Sequence, residues 1–486
     1  MQKIKVTPIS DDQPAVYQDA ADRLGIEPVG KLLFRFSLPA VTGMLVNALY
    51  NVVDRIFVGR FVNMDALAGL SLVMPLMTIA LAFAMLFGIG AANMISMRMG
   101  QGRRQDAENA LNHCFFLLIG ISLILTALGL VNLDLIISLL GAQEGSNGLN
   151  YARSYFQIIL YGTAFSLVGF GFSHCTRAQG FPGITMIGMF IGAGLNIILD
   201  PVFIIVFDWG VEGAAYATIF SQLVSALWVL RFSMGKKALI KLRIKSFKLS
   251  LSVMFHIMSF GSAQFLLQVL MSSVQFLNNY SMGKYGLRDL QIPNGGDIAL
   301  SGMNIVGTIT MLILMSIFGI NQGAQPILGY NYGAKNYSRV LRAYLMAVAA
   351  GTFICVAGFA VVQLFPEQMV KLFVDQGNLP EDRKSFEILL EFASSAVRIM
   401  LIMLPTAGFQ IISTNFFVVT GRPKISIFLS MLRQCLVLIP CIYIFGRVWG
   451  LWGVIAAAPI SDAVALFITG TMIFFELRKL KLHKEC

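Results

Sequence analysis

Twelve long runs of apolar residues divide this chain, each closed by a short polar break. They fall near 32–54, 66–93, 111–132, 155–176, 184–206, 213–233, 253–280, 298–325, 343–364, 395–419, 426–446 and 453–475. At a helical rise of about 1.5 Å per residue, each run approaches the length needed to cross about 30 Å of hydrocarbon. Barrel strands would be about ten residues long and would alternate apolar with polar positions. The pattern therefore predicts an all-α polytopic membrane protein with twelve transmembrane helices.

A second pattern lies on top of the first. Trp209-Gly210-Val211-Glu212-Gly213 recurs as Trp449-Gly450-Leu451-Trp452-Gly453. Each copy follows a related turn, Gly180-Phe181-Pro182-Gly183 in one half and Gly421-Arg422-Pro423-Lys424 in the other. Ala68-Gly69-Leu70 and Met99-Gly100 match Ser301-Gly302-Met303 and Tyr332-Gly333 in the same order. A duplicated chain of this kind predicts two equivalent six-helix lobes, 31–233 and 253–476, an organisation typical of transporters.

Composition agrees: 57% of residues are hydrophobic and only 13% charged, against about 25% charged in soluble domains. The net charge of +11 does not indicate nucleic acid, because of where the charges lie. With the termini and alternate connections on one side, 25 Lys and Arg fall there and 9 on the other, with Arg398 and Arg433 inside spans. By the positive-inside rule this puts both termini in the cytoplasm and the protein in the plasma (inner) membrane. The tails 1–30 and 477–486 are read as cytoplasmic. The basic stretch 234–252 is read as an inter-lobe linker with anionic lipid heads as neighbours. The N-terminal segment lacks the apolar run of a cleaved signal peptide.

Charges inside the spans carry the candidate chemistry. Asn47, Asn51 and Asp54 sit at i, i+4 and i+7, so two amides and a carboxylate share one helical face. Asn196 lies one turn before Asp200, which precedes Pro201. An ionised Asp at the centre of a span costs about 2.5–3.5 kcal/mol to insert, so such a group needs a watery cavity, partners or a proton. One reading makes Asp54 a helix-end residue beside Arg55, and Asp200 a cap for the break before Pro201. The functional reading makes them a proton site, whose occupancy burial and hydrogen bonding control. Their counterparts in the second half are neutral, Asn278 and Cys441.

Asp462, Arg433 and Arg398 form a second polar set, read first as a structural ion pair between helices. Polar residues elsewhere on the spans (Asn47, Tyr50, Gln268, Asn278, Gln410, Asn415) are candidates for a substrate cavity or polar gate. His113 and His174 read as hydrogen-bonded structural residues. Six cysteines show neither a disulfide framework nor metal-ligand spacing. No metal or organic cofactor is expected.

The stretch Leu38-Pro39 with Leu49 to Gly59 and Ala66-Leu67-Ala68-Gly69 resembles the first-helix region of multidrug and toxic compound extrusion (MATE) transporters. Arg177-Ala178-Gln179-Gly180, Asn196 to Pro201, Gln325 to Lys335 and Thr420 to Lys424 extend the likeness, which is nearest to the MepA-like bacterial branch. The resemblance runs from about residue 30 to 478. It implies a V-shaped two-lobe bundle that exports organic cations and drugs in exchange for protons or sodium, working as a monomer. It also implies that Asp54 and Asp200, with Asn51 and Asn196 beside them, carry the coupling cation, and that Pro39 is a helix-bend point. Two departures stand out. Only Gln264 or Gln268 lies near the seventh-helix acid of the sodium-dependent branch, and Ser173-His174 replaces the usual Asn before the fourth-helix Arg.

Other classes fit less well. A flippase for lipid-linked sugars on a related fold would line its cavity with basic residues, and the first-half spans offer almost none. A membrane enzyme needs clustered His, Cys or carboxylates, and a channel needs a ring of filter residues; neither pattern occurs.

Overall fold

The computed structural model describes residues 23–62, 64–139, 147–243, 249–292, 295–373 and 383–485. All regular structure among them is helical. The first half contains α1 (Val29–Phe61), α2 (Met64–Gly100), α3 (Arg104–Val131), the short α4 (Leu133–Leu139), α5 (Asn147–Ala178), α6 (Pro182–Pro201) and α7 (Gly210–Met234). The second half contains α8 (Leu251–Asp289), α9 (Gly295–Gly333), α10 (Tyr337–Leu364), the short α11 (Pro366–Lys371), α12 (Arg383–Met400), α13 (Leu404–Val419), α14 (Pro423–Met431) and α15 (Ile439–Glu485).

Helices are what hydrocarbon permits, because each satisfies its backbone polar groups internally. Ten of the helical stretches are long and apolar enough to cross a membrane, and the pair Phe386–Met400 and Leu404–Val419, bent by 50°, makes an eleventh. One of the ten, Pro423–Leu480, is 58 residues long, about 87 Å at helical rise and far beyond one bilayer. Gly450 breaks it with φ 61° and ψ −135°, so this stretch makes two crossings, as the apolar runs at 426–446 and 453–475 require. Exposed apolar side chains such as Phe276, Phe353 and Phe467 cover faces that only lipid can solvate.

The duplication is visible in the backbone. Phe181 N–H donates to Thr176 O at 3.3 Å and Gly180 N–H to Arg177 O at 2.9 Å. In the second half Arg422 N–H donates to Phe417 O at 2.7 Å and Gly421 N–H to Val418 O at 3.0 Å. Both are the paired carbonyl closures that end a helix on a left-handed glycine, with φ +97° at Gly180 and +79° at Gly421.

The hydrophobic cores do not sort by lobe. One buried cluster joins α2, α3 and α5 to Ile257 of α8. Another places Leu24 and, from α1, Val29, Leu32, Leu33 and Phe36 among Ile320, Ile327, Val340, Tyr344 and Phe416 of the second half. The first helix of each half thus begins inside the core of the other. These contacts lie at one end of the bundle, here called the linker end, where α1, α3, α6, α8, α10 and α14 begin.

The linker turns basic side chains outward and apolar ones to the first lobe. Lys236, Lys237 and Arg243 are exposed, but Ala238, Leu239, Ile240 and Leu242 are buried against the first lobe. Acceptors on that lobe hold the linker backbone. Gln179 Oε1 takes Ile240 N–H at 3.2 Å, Glu108 takes Lys241 N–H at 3.3 Å, Asn112 takes Arg243 N–H at 2.8 Å, and His113 takes Ser250 N–H at 2.9 Å. An extended strand of backbone cannot satisfy its own polar groups, so it borrows side chains. The stretch 244–248 lies outside the described residues.

Candidate ion-coupling site

Asp200 is 0% exposed and Asn196 nearly as deeply buried. The side-chain amide of Asn196 donates to Asp200 Oδ1 at 3.2 Å, one helical turn along α6. Pro201 has no N–H to offer the carbonyl four residues back. The chain then widens into a π-helical segment, Val202–Val206, closed by Phe207 N–H to Val202 O at 3.0 Å. π-helical turns of this kind recur at functional sites.

The helix that carries Asn51 and Asp54 is described, although the side chains of both lie outside the described residues. α1 packs along α6 so tightly that a Cβ on Gly43 would lie 2.4 Å from Met189 Sδ. Asp54 is eleven residues beyond Gly43, and Asp200 is eleven beyond Met189. Both helices run from the linker end, so each acidic position lies about 16 Å of helix beyond its own residue of that contact. Farther back on α1, Asn47 is exposed and Tyr50 half-buried. Pro39 is half-buried, and α1 runs through it without a break.

In the second lobe Arg433 Nε donates to Asp462 Oδ1 at 2.7 Å. The pair is tied to its helices by Gln410 Nε2 to Asp462 O at 2.8 Å and Ser461 Oγ to Arg433 O at 2.7 Å. Arg433 lies in a second π-helical segment, Leu432–Leu438. Arg398 is not a member, contrary to the expectation from sequence. Its side chain is exposed on the amphipathic helix α12, and the carboxylate is met by Arg433. Asn415 is buried in a separate contact, donating to Asn321 Oδ1 at 2.9 Å. Gln268 and Asn278 are half-buried on α8.

Both His113 and His174 lie in hydrogen bonds. His113 Nε2 accepts from Ser250 N–H, which leaves Nδ1 to donate to Asn109 O at 2.7 Å. Arg177 Nη2 lies 3.1 Å from His174 Nδ1; a guanidinium has only donors, so that nitrogen accepts.

A contact that the sequence did not single out joins the lobes. Gln325 on α9 donates to Asn93 Oδ1 on α2 at 2.6 Å, with both residues buried. Their polar character inside apolar runs was a visible signal, but the pairing was not. Around them the helices approach to backbone contact: a Cβ on Gly261 would lie 1.7 Å from Leu86 O, and one on Gly90 2.1 Å from Ile257 O. All of these contacts lie in the linker-end halves of their helices. The lobes are closed against each other there.

Two duplicated helical lobes that meet at one end, with carboxylates sunk in their spans, define a multi-pass membrane transporter. The MatE family profile matches residues 39–202 and 264–444, and the chain belongs to that family, the MATE transporters; it is not an enzyme. It is 26% identical over 454 residues to the multidrug export protein MepA of Staphylococcus aureus (strain MRSA252), covering 93% of this chain and 94% of the relative. Among solved structures it is similar to a multidrug resistance MATE transporter in an outward-facing conformation, with a TM-score of 0.86, 27% identity and coverage of 94% and 98%. It is also similar to a MATE in the bent conformation, with a TM-score of 0.85, 26% identity and coverage of 96% and 99%.

Proposed function

We propose that the protein is a multidrug antiporter of the plasma membrane that exports drug-like organic cations in exchange for protons, with Asp200 and Asp54 as the coupling acids. The linker end, with both termini, faces the cytoplasm. The closed seam at that end makes this the state that receives protons from, and releases cargo to, the outside.

The observation that carries the reading is Asp200, a carboxyl with no exposure, hydrogen-bonded by Asn196 on a helix that packs against the one carrying Asp54. A carboxylate in such a place is costly unless it is paired or protonated. Taking up a proton from outside removes the charge and lets the surrounding helices close around a neutral group. Release on the cytoplasmic side restores the charge and favours the arrangement in which it is hydrated or bound to a cationic cargo. A proton neutralises a buried carboxyl directly, whereas a hard cation needs several oxygen ligands gathered around it.

The test is transport in proteoliposomes with a fluorescent organic cation, imposing proton and sodium gradients separately. A proton gradient alone drives wild-type transport, while Asp200→Asn and Asp54→Asn lose that coupling. Transport driven by sodium alone reverses the choice of ion. Undiminished proton-driven transport in both Asn variants removes the proposed site.

A further inference from the structure

The segment just before α1 belongs by sequence to the first lobe, yet it is bound to the second. Leu24 is 0% exposed and sits in the cluster with Ile327, Val340 and Tyr344. One guanidinium holds the backbone carbonyls of Leu24 and of the residues that follow it. Arg339 Nη2 donates to Leu24 O at 3.2 Å and to Glu27 O at 2.6 Å, and Nη1 to Ile26 O at 3.4 Å. Nε of the same group donates to Asn331 Oδ1 at 3.0 Å, and Asn331 Nδ2 donates to Leu24 O at 2.9 Å.

We propose that residues 23–27 form a strap that locks the two lobes together at the linker end, with Arg339 as its clasp. This rests on the alternating-access reading and adds the element that sets its balance. The strap continues into α1, whose first two turns lie in the second lobe's core, while further along α1 Gly43 packs on Met189 of the first. Separating the lobes at this end must therefore unseat Leu24 and break the Arg339 contacts, or else bend α1 between those anchors. The linker makes the reverse crossing, but it is covalently held at both ends. Among the described residues, Leu24 and the Arg339 hydrogen bonds hold the strap to the second lobe. Hydrogen bonds from a charged donor to carbonyls are the stronger kind, and three of them converge here with a buried leucine.

The test is the distance between spin labels at Gln101→Cys and Ser338→Cys, exposed positions on the two lobes at this end. Cys435, Cys441 and Cys486 are replaced by Ser, and the protein is held in lipid nanodiscs across a range of pH. Arg339→Ala and, independently, Leu24→Ala are expected to raise the ratio of separated to closed populations about tenfold at a given pH, the factor that 1.4 kcal/mol makes. Arg339→Lys, which keeps the charge but loses the fork, falls between them and wild type. If Arg339→Ala does not fold, Leu24→Ala and Arg339→Lys carry the test. Wild-type lobes that separate with pH, and folded variants with the same populations, overturn the strap alone. A single closed distance in every protein overturns both the strap and alternating access.

Discussion

Gln325 and Asn93 meet at 2.6 Å across the closed seam, the side-chain amide of one lobe donating to the side-chain carbonyl of the other. Both are nearly inaccessible, so neither can fall back on water while the seam is shut. Truncating only one leaves its partner buried and unmatched, at a cost of about 1–3 kcal/mol to the closed state, whereas replacing both with apolar groups is close to neutral. Gln325→Ala is expected to increase labelling of a cysteine placed at Ser96 by a membrane-impermeant maleimide from the linker end. The Asn93→Leu/Gln325→Leu pair returns labelling toward wild type. Equal labelling in the single and double variants would show that the pair does not hold the seam.

Gly261 makes a sharper prediction, because a methyl group there meets the carbonyl oxygen of Leu86 at 1.7 Å. Backbone cannot yield as a flexible side chain does, so α8 and α2 must part. Gly261→Ala should fold, since the clash lies between lobes and not within one, but it should favour the state separated at the linker end. The check is the same spin-label distance together with a loss of transport. An unchanged distance distribution with normal transport would contradict the close approach.

Asp200→Asn removes a charge while keeping shape and one hydrogen-bond acceptor for Asn196. Burying a neutral amide costs less than burying a carboxylate, so thermal stability in detergent should be unchanged or raised while proton-driven transport is lost. Asn196→Ala leaves the carboxyl without that donor, and it is expected to shift the pH at which transport is half-maximal. A variant that loses transport only by unfolding would mark Asp200 as structural.

The Arg433–Asp462 pair separates packing from chemistry in the second lobe. Removing one member, as in Asp462→Asn or Arg433→Met, leaves the other part-buried without its partner and destabilises the protein, while replacing both by apolar residues is often neutral. Melting curves from size-exclusion chromatography should show both single variants destabilised and the Arg433→Met/Asp462→Leu variant recovered. If the recovered protein also transports normally, the pair is a brace between helices; if it is stable but inactive, the pair takes part in the cycle.

Much of the architecture was legible in the chain, because a bilayer constrains helices so strongly. Runs of apolar residues found the crossings, and the repeated sequence after Gln179 and Thr420 reappears as the same helix-ending turn. The adjacency of Asn196 and Asp200 followed from helical spacing alone. Arg398 was misplaced because its distance in sequence from Asp462 carries no information on which side of α12 faces the bundle. The linker's charge was legible, but the docking of Leu239, Ile240 and Leu242 on the first lobe was not.

By itself, then, the sequence determined what is local or periodic: helical spans, duplication, and polar residues sharing one face of one helix. Tertiary structure decided what depends on separate helices meeting. It set Gln325 on Asn93, Arg433 on Asp462, and Arg339 on the segment that begins the opposite lobe. The physical reason is that hydrogen bonding within a helix is fixed by neighbours three or four residues away. Contacts between helices depend on rotation and shift, which here are set by small residues that let backbones touch.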